Sequence, residues 1–117
     1  MAAPNIVNVA TITGKTAVQA VGTSATAIVT NSAASGKVFK VNALYVSNVD
    51  GTDNAEINID IFRGSTAYHI GKTIVVPADA TLDVMSKSVY LEEGDSLRLT
   101  ANAASDLEAV CSFEEIS

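Results

Sequence analysis

The sequence predicts an all-β domain: a single antiparallel β-sandwich, jelly-roll-like, of about eight strands with a short N-terminal arm. Three observations carry this. Val (14), Ile (9) and Thr (11) supply 34 of the 117 residues, against 6 Leu. Such β-branched side chains are stiff at χ1 and pack well on a pleated surface. Apolar residues alternate with period two in several stretches, and no window of eleven residues sustains a helical apolar face. Turn residues, above all the glycines at 14, 22, 36, 51, 64, 71 and 94, fall between the apolar runs. The 18 alanines favour helix by propensity alone. Their placement beside Asn, Ser and Gly, as in Ala33-Ala34 and Ala101 to Ala104, reads as turn instead.

Taken in order, residues 1–8 form the arm and 9–117 the sandwich. Met1 to Pro4 read as a short flexible arm, because Pro4 lacks a donor and the small residues give the stretch little to bury. Candidate strands run 5–13, 16–21, 25–31, 37–48, 55–63, 67–70, 73–76, 81–91, 96–101 and 106–115, of which some shorter ones merge or drop out. The segment 37–48 is apolar on both faces, with Phe39, Val41, Ala43 and Tyr45 on one side and Leu44 and Val46 on the other. That pattern suits a central strand covered on both sides. Ile57, Ile59 and Ile61 alternate with Glu56, Asn58, Asp60 and Phe62, placing the isoleucines in the core and their neighbours mostly in water. Leu97 and Leu99 repeat the pattern. So do Leu107, Ala109, Cys111 and Phe113, with Glu108, Val110, Ser112 and Glu114 on the opposite face. Asp50-Gly51 and Glu93-Gly94-Asp95 are hairpin-type turn signals.

Composition narrows function by exclusion. A net charge of −6 argues against a broad nucleic-acid footprint, which needs clustered Lys and Arg. Apolar runs reach only three or four residues, too few to span a bilayer as a helix, and no basic segment with a following apolar stretch opens the chain. A single Cys makes no internal disulfide, and a single His makes no His cluster for zinc. The unpaired Cys fits folding in a reducing compartment.

Individual candidates resolve the same way. His69, in Ala67-Tyr68-His69-Ile70, has no sequence-local nucleophile or orienting carboxylate and reads as a solvent-face residue. Cys111 is in phase with core positions and reads as inert. The stretch from Asn48 to Glu56 is rich in oxygen ligands but lacks EF-hand spacing, so its Asp and Asn side chains are expected to bond their own backbone in a hairpin. The late carboxylates, Asp79 to Glu115, read as a solvated acidic face rather than a glycosidase pair. Gly14-Lys15-Thr16 matches only the tail of a phosphate loop, whose earlier glycine is Val9 here. The expectation is therefore no enzyme, no cofactor and no metal.

Several stretches carry a resemblance beyond composition. They are NIVNVATITGKTA (5–17), SGKVFKV (35–41), VSNVDG (46–51), VPADATLDV (76–84) and YLEEGDSL (90–97). Together they resemble small β-sandwich virion structural proteins of tailed bacteriophages, especially those of marine cyanobacteria. The turn phrase from Leu91 to Leu97 is similar to turns in many otherwise unrelated phage sandwich proteins. The resemblance implies a virion component made in the host cytoplasm. The expected form is a capsid decoration (cement) subunit acting by subunit contacts, with the major capsid protein as partner and a homotrimer favoured. A neck, tail or baseplate component and a glycan-binding sandwich module are the alternatives; for the last, Tyr45, Tyr68, Tyr90 and Phe62 would have to converge. No nucleic acid and no membrane are expected as partners. The expected interaction residues are Ala2, Ala3, Pro4, Asn5 and Ile6 in the arm, and Asp50, Gly51, Asp53 and Asn54 in the loop. The acidic charge keeps a free subunit soluble before assembly.

Overall fold

The structure, a computed structural model, describes residues 4–117. Among the described residues nine strands form two packed sheets: β1 Ile12–Val21, β2 Thr26–Thr30, β3 Val38–Asn48, β4 Ala55–Arg63, β5 Thr66–Val76, β6 Thr81–Asp83, β7 Val89–Leu91, β8 Ser96–Ala101 and β9 Leu107–Ile116. The first sheet has the order β1-β9-β3-β6, with β7 also on β3; the second has the order β2-β8-β4-β5. All pairs are antiparallel. The chain passes from one sheet to the other between most consecutive strands and stays in one sheet at β4–β5 and β6–β7. If β6 and β7 are counted as two pieces of one edge strand, this is the eight-stranded jelly roll.

The two sheets bury one core between them. Val41, Leu44, Val46, Ile57, Ile59, Leu91, Leu97, Leu99 and Cys111 are fully enclosed in it. Phe39 and Phe113 pack tilted at its lower end, ring centroids 5.6 Å apart. Just below them Glu115 accepts from Lys15 at 2.7 Å and from Lys37, closing that end with charge. Two buried asparagines tie loops to the sandwich. Asn31 donates to the Lys37 and Leu91 carbonyls, and Asn48 donates to those of Asp53 and Val76.

Several strand limits differ from expectation, each for a local reason. Residues 5–8 make a turn instead of a strand, because Asn5 Oδ1 accepts from Val7 N and Asn5 O from Asn8 N. The pieces 16–21 and part of 5–13 become one strand, β1, with Gly14 inside it. The pieces 67–70 and 73–76 become β5, with Gly71 inside it. Its register on β4 shifts twice, and at one shift Asn58 Oδ1 accepts from Thr73 N. The piece 81–91 breaks in two. Between its paired ends, residues 84–88 lie opposite only 42–44 of β3, so the extra length loops out while Met85 turns into the core.

β3 carries a bulge between Val41 and Ala43. One extra residue flips the alternation, so the inward face reads Phe39, Val41, Leu44, Val46 and Asn48, and Tyr45 points to solvent. The expected division of β3 into two covered faces is thereby corrected: it is central in its sheet, but its outer face is open at Asn42 and Tyr45. Asp60, expected in water, is only 2% exposed. Arg98 on the neighbouring strand covers it, donating from Nε at 2.9 Å while its guanidinium lies 4.0 Å over the Phe62 ring.

The expected hairpins are also relocated. Asp50-Gly51 joins β3 to β4, and Glu93-Gly94-Asp95 joins β7 to β8; both link different sheets. The tight hairpin is at Gly64-Ser65, where Arg63 pairs Thr66 and both turn residues have positive φ, 57° and 67°. That is the two-residue turn whose twist matches antiparallel strands.

Candidate interaction surface

Of the expected arm residues, Ala2 and Ala3 lie outside the described residues. Pro4 and Ile6 line a cleft of about 350 Å³ together with Val38, Tyr90 and Glu92, on the outer side of the first sheet. Asn5 shapes the turn that presents Ile6 and Val7.

The Asp50–Asn54 loop spends its polar groups on backbone. Asp50 Oδ1 accepts from Thr52 N at 2.9 Å, Asp50 O from Asp79 N at 3.2 Å and Asn54 Oδ1 from Ala78 N at 3.3 Å. The Asp53 carbonyl accepts from Asn48 at 2.9 Å. Gly51 sits against the Asp79 carboxylate, 3.5 Å from where a Cβ would stand. This loop and the arm cleft do not meet. They lie beyond opposite ends of β3, whose ten residue steps span about 33 Å. Among the described residues no group of three or more His, Cys, Asp or Glu is placed to hold a metal ion.

The surface that sequence reasoning missed lies on the outer face of the first sheet. Register places Val18 beside Val110, and Val110 beside Tyr45, in one row across β1, β9 and β3. All three are exposed, Val18 at 74%. Beside the row a groove of about 350 Å³ is lined by Val18, Gln19, Ala20, Glu108, Ala109 and Val110. The signal in the sequence was Val110, which stands in the solvent phase of the β9 alternation although it is apolar. The four aromatics named for a glycan platform do not converge. Tyr45 and Tyr90 lie on the first sheet, five residues apart along β3 by register, whereas Tyr68 is on the second sheet and Phe62 lies under Arg98.

The charged groups are structural in placement. Arg63 grips Asp95 with two bonds, Nε to Oδ1 at 2.7 Å and Nη2 to Oδ2 at 2.6 Å. Asp95 also accepts from Glu92 N at 2.8 Å. The Arg63 guanidinium holds the buried Asp95 carboxyl below the usual carboxylate range. Lys15 and Lys37 do the same to Glu115. Burial pushes the Cys111 thiol up to about 11, which removes it as a nucleophile near neutral pH. His69 is exposed on β5, opposite Asp60 by register.

No protein-family model and no curated protein matches the sequence. Among solved structures, the chain is similar to a protein of Bacillus endospore appendages, described as a novel family of disulfide-linked pili. The TM-score is 0.54 and the identity 16%, over 92% of this chain and 88% of that one; the likeness is one of fold. Two structures of a pentameric capsid protein isolated from metagenomic phage sequences align more weakly, with TM-scores of 0.45 and 0.44. Identity is 20% in both, over 86% of this chain and 62% and 60% of theirs. That is too weak to define a shared fold.

Proposed function

We propose that the chain is a structural subunit of a tailed-phage virion, a capsid decoration subunit that binds the major capsid protein and associates as a trimer about a local three-fold axis. The observation that carries this reading is the apolar row Val18–Val110–Tyr45, exposed side by side across the outer face of a jelly-roll sheet. Contiguous apolar surface of this kind marks a contact with another protein. Repetition around symmetry axes raises the affinity of each weak contact. The resemblance of the 5–17, 76–84 and 90–97 segments to phage sandwich proteins supports the same class.

The contacts are non-covalent in this reading. The one cysteine of the chain, Cys111, is fully buried, so disulfide linkage of the kind described for the Bacillus pili has no thiol to use here. The arm and the 50–54 loop are the secondary contacts. The test is a binding assay on particles that lack the protein. Deleting residues 2–8 should leave a folded domain that no longer binds, and full occupancy by the truncated chain would overturn the role of the arm.

A further inference from the structure

We propose that residues 4–8 form an exchangeable segment, which leaves its seat on its own sheet and takes the equivalent seat on a second copy of the chain. The proposal rests on the reading of the chain as a repeating subunit and names how copies engage. Val38 is 6% exposed and Ile116 5%, yet neither belongs to the core between the sheets. Alternation explains their position. Phe39 and Val41 point inward, so Val38 points out, and Ile116 lies opposite both Val38 and Ile12 in register. A residue on the outer face reaches such burial only under a cover. Pro4 and Ile6 stand at Val38, sharing a cleft with it, Tyr90 and Glu92, and Ile116 is the register neighbour of Val38.

The cover is a preformed unit held loosely. Its hydrogen bonds run within the turn, from Val7 N and Asn8 N to Asn5. The next fixed point is at Ala10 and Thr11, whose N–H groups both donate to the Ser117 carbonyl at 2.9 Å. Val9, between these two fixed points, therefore acts as the hinge. In its own seat the segment leaves Val7 90% exposed and about half of Ile6 in water. A second copy reproduces every contact of the seat, since the patch is identical, and the approach of the two bodies covers Val7 as well. Exchange of identical elements between copies makes oligomers at low cost.

The experiment uses two full-length chains, one carrying Ile6→Cys and the other Tyr90→Cys, mixed and treated with a short bismaleimide. Cys111 is silent because it is buried. The expected result is a cross-linked heterodimer that grows with concentration. It should exceed several-fold the yield from Ile6→Cys mixed with Ser24→Cys, an exposed position in the turn after β1, at the end of the first sheet away from Val38. A yield no greater than that control overturns the exchange, whether or not a chain bearing both Ile6→Cys and Tyr90→Cys cross-links internally. This readout needs only the purified protein. Failure of the virion reading shows separately, as absence of the chain from purified particles.

Discussion

Replacing Asp95 by Asn tests whether the turn phrase from Leu91 to Leu97 acts as a structural latch between the two sheets. Asp95 is enclosed where β7 of one sheet hands over to β8 of the other, and it is held by two Arg63 bonds and one backbone N–H. The asparagine keeps the shape but loses the charge and one of the paired acceptors. Hydrogen bonds to charged groups contribute about 1.5–3 kcal/mol each, and breaking a fully buried pair costs about 3–5 kcal/mol. Arg63 is half in water, which weakens the pair, so about 2–3 kcal/mol is the expected loss. With an unfolding entropy of about 2.1 cal/mol/K per residue, a chain of 117 residues then melts about 8–12 °C lower.

The pH dependence follows from the depressed Asp95 carboxyl. A group whose pKa is lower when folded contributes stability that is fully present above its unfolded value, near pH 4, and is lost as pH falls through the folded value. Calorimetry from pH 7 downward should therefore show a constant gap between wild type and Asp95→Asn until about pH 4, then a narrowing gap. A melting shift within about 2 °C at pH 7, as for a neutral surface change, refutes the latch. A gap that stays constant to pH 2 refutes its electrostatic origin.

Three further outcomes are expected. Val18→Asp should change the melting temperature by only about 2 °C, since the residue is exposed. The same change should reduce particle binding at least tenfold, because it sets a charge in an apolar contact; unchanged binding removes the row from the interface. Cys111 should resist alkylation at pH 8 in the native protein and react fully in denaturant, with rapid native labelling contradicting its enclosure. Asn48→Ala should destabilise by about 2–3 kcal/mol in urea melts, because it leaves the Asp53 and Val76 carbonyls unpaired; a loss below about 0.5 kcal/mol contradicts the tie.

Two strands with one wet face were legible in the sequence to the residue. β4 and β8 match their expected limits, because strict alternation of Ile or Leu with polar residues admits a single register. β3 was located but its faces were misjudged. With Leu44 and Tyr45 adjacent and both hydrophobic, nothing local announces the bulge that sends one in and the other out. The break between β6 and β7 depends on a length mismatch with β3, a tertiary quantity. Asp60 defied the pattern because a longer neighbour, Arg98, covers it across the strand pair. The surface was harder still. Val110 stood in the solvent phase of its strand but alone; only the pairing of β1 with β9 shows that it and Val18 form an outer row. The cleft that Pro4 and Ile6 share with Val38 and Tyr90 is set by residues more than thirty and eighty positions away.

The central claim, a repeating structural subunit of a virion, is tested most directly by counting copies of the chain in purified particles by quantitative mass spectrometry. A decoration subunit requires on the order of hundreds of copies per particle, and a neck or tail ring about a dozen, as closed symmetry dictates. The account predicts the first. A purified particle that contains none of the chain contradicts it.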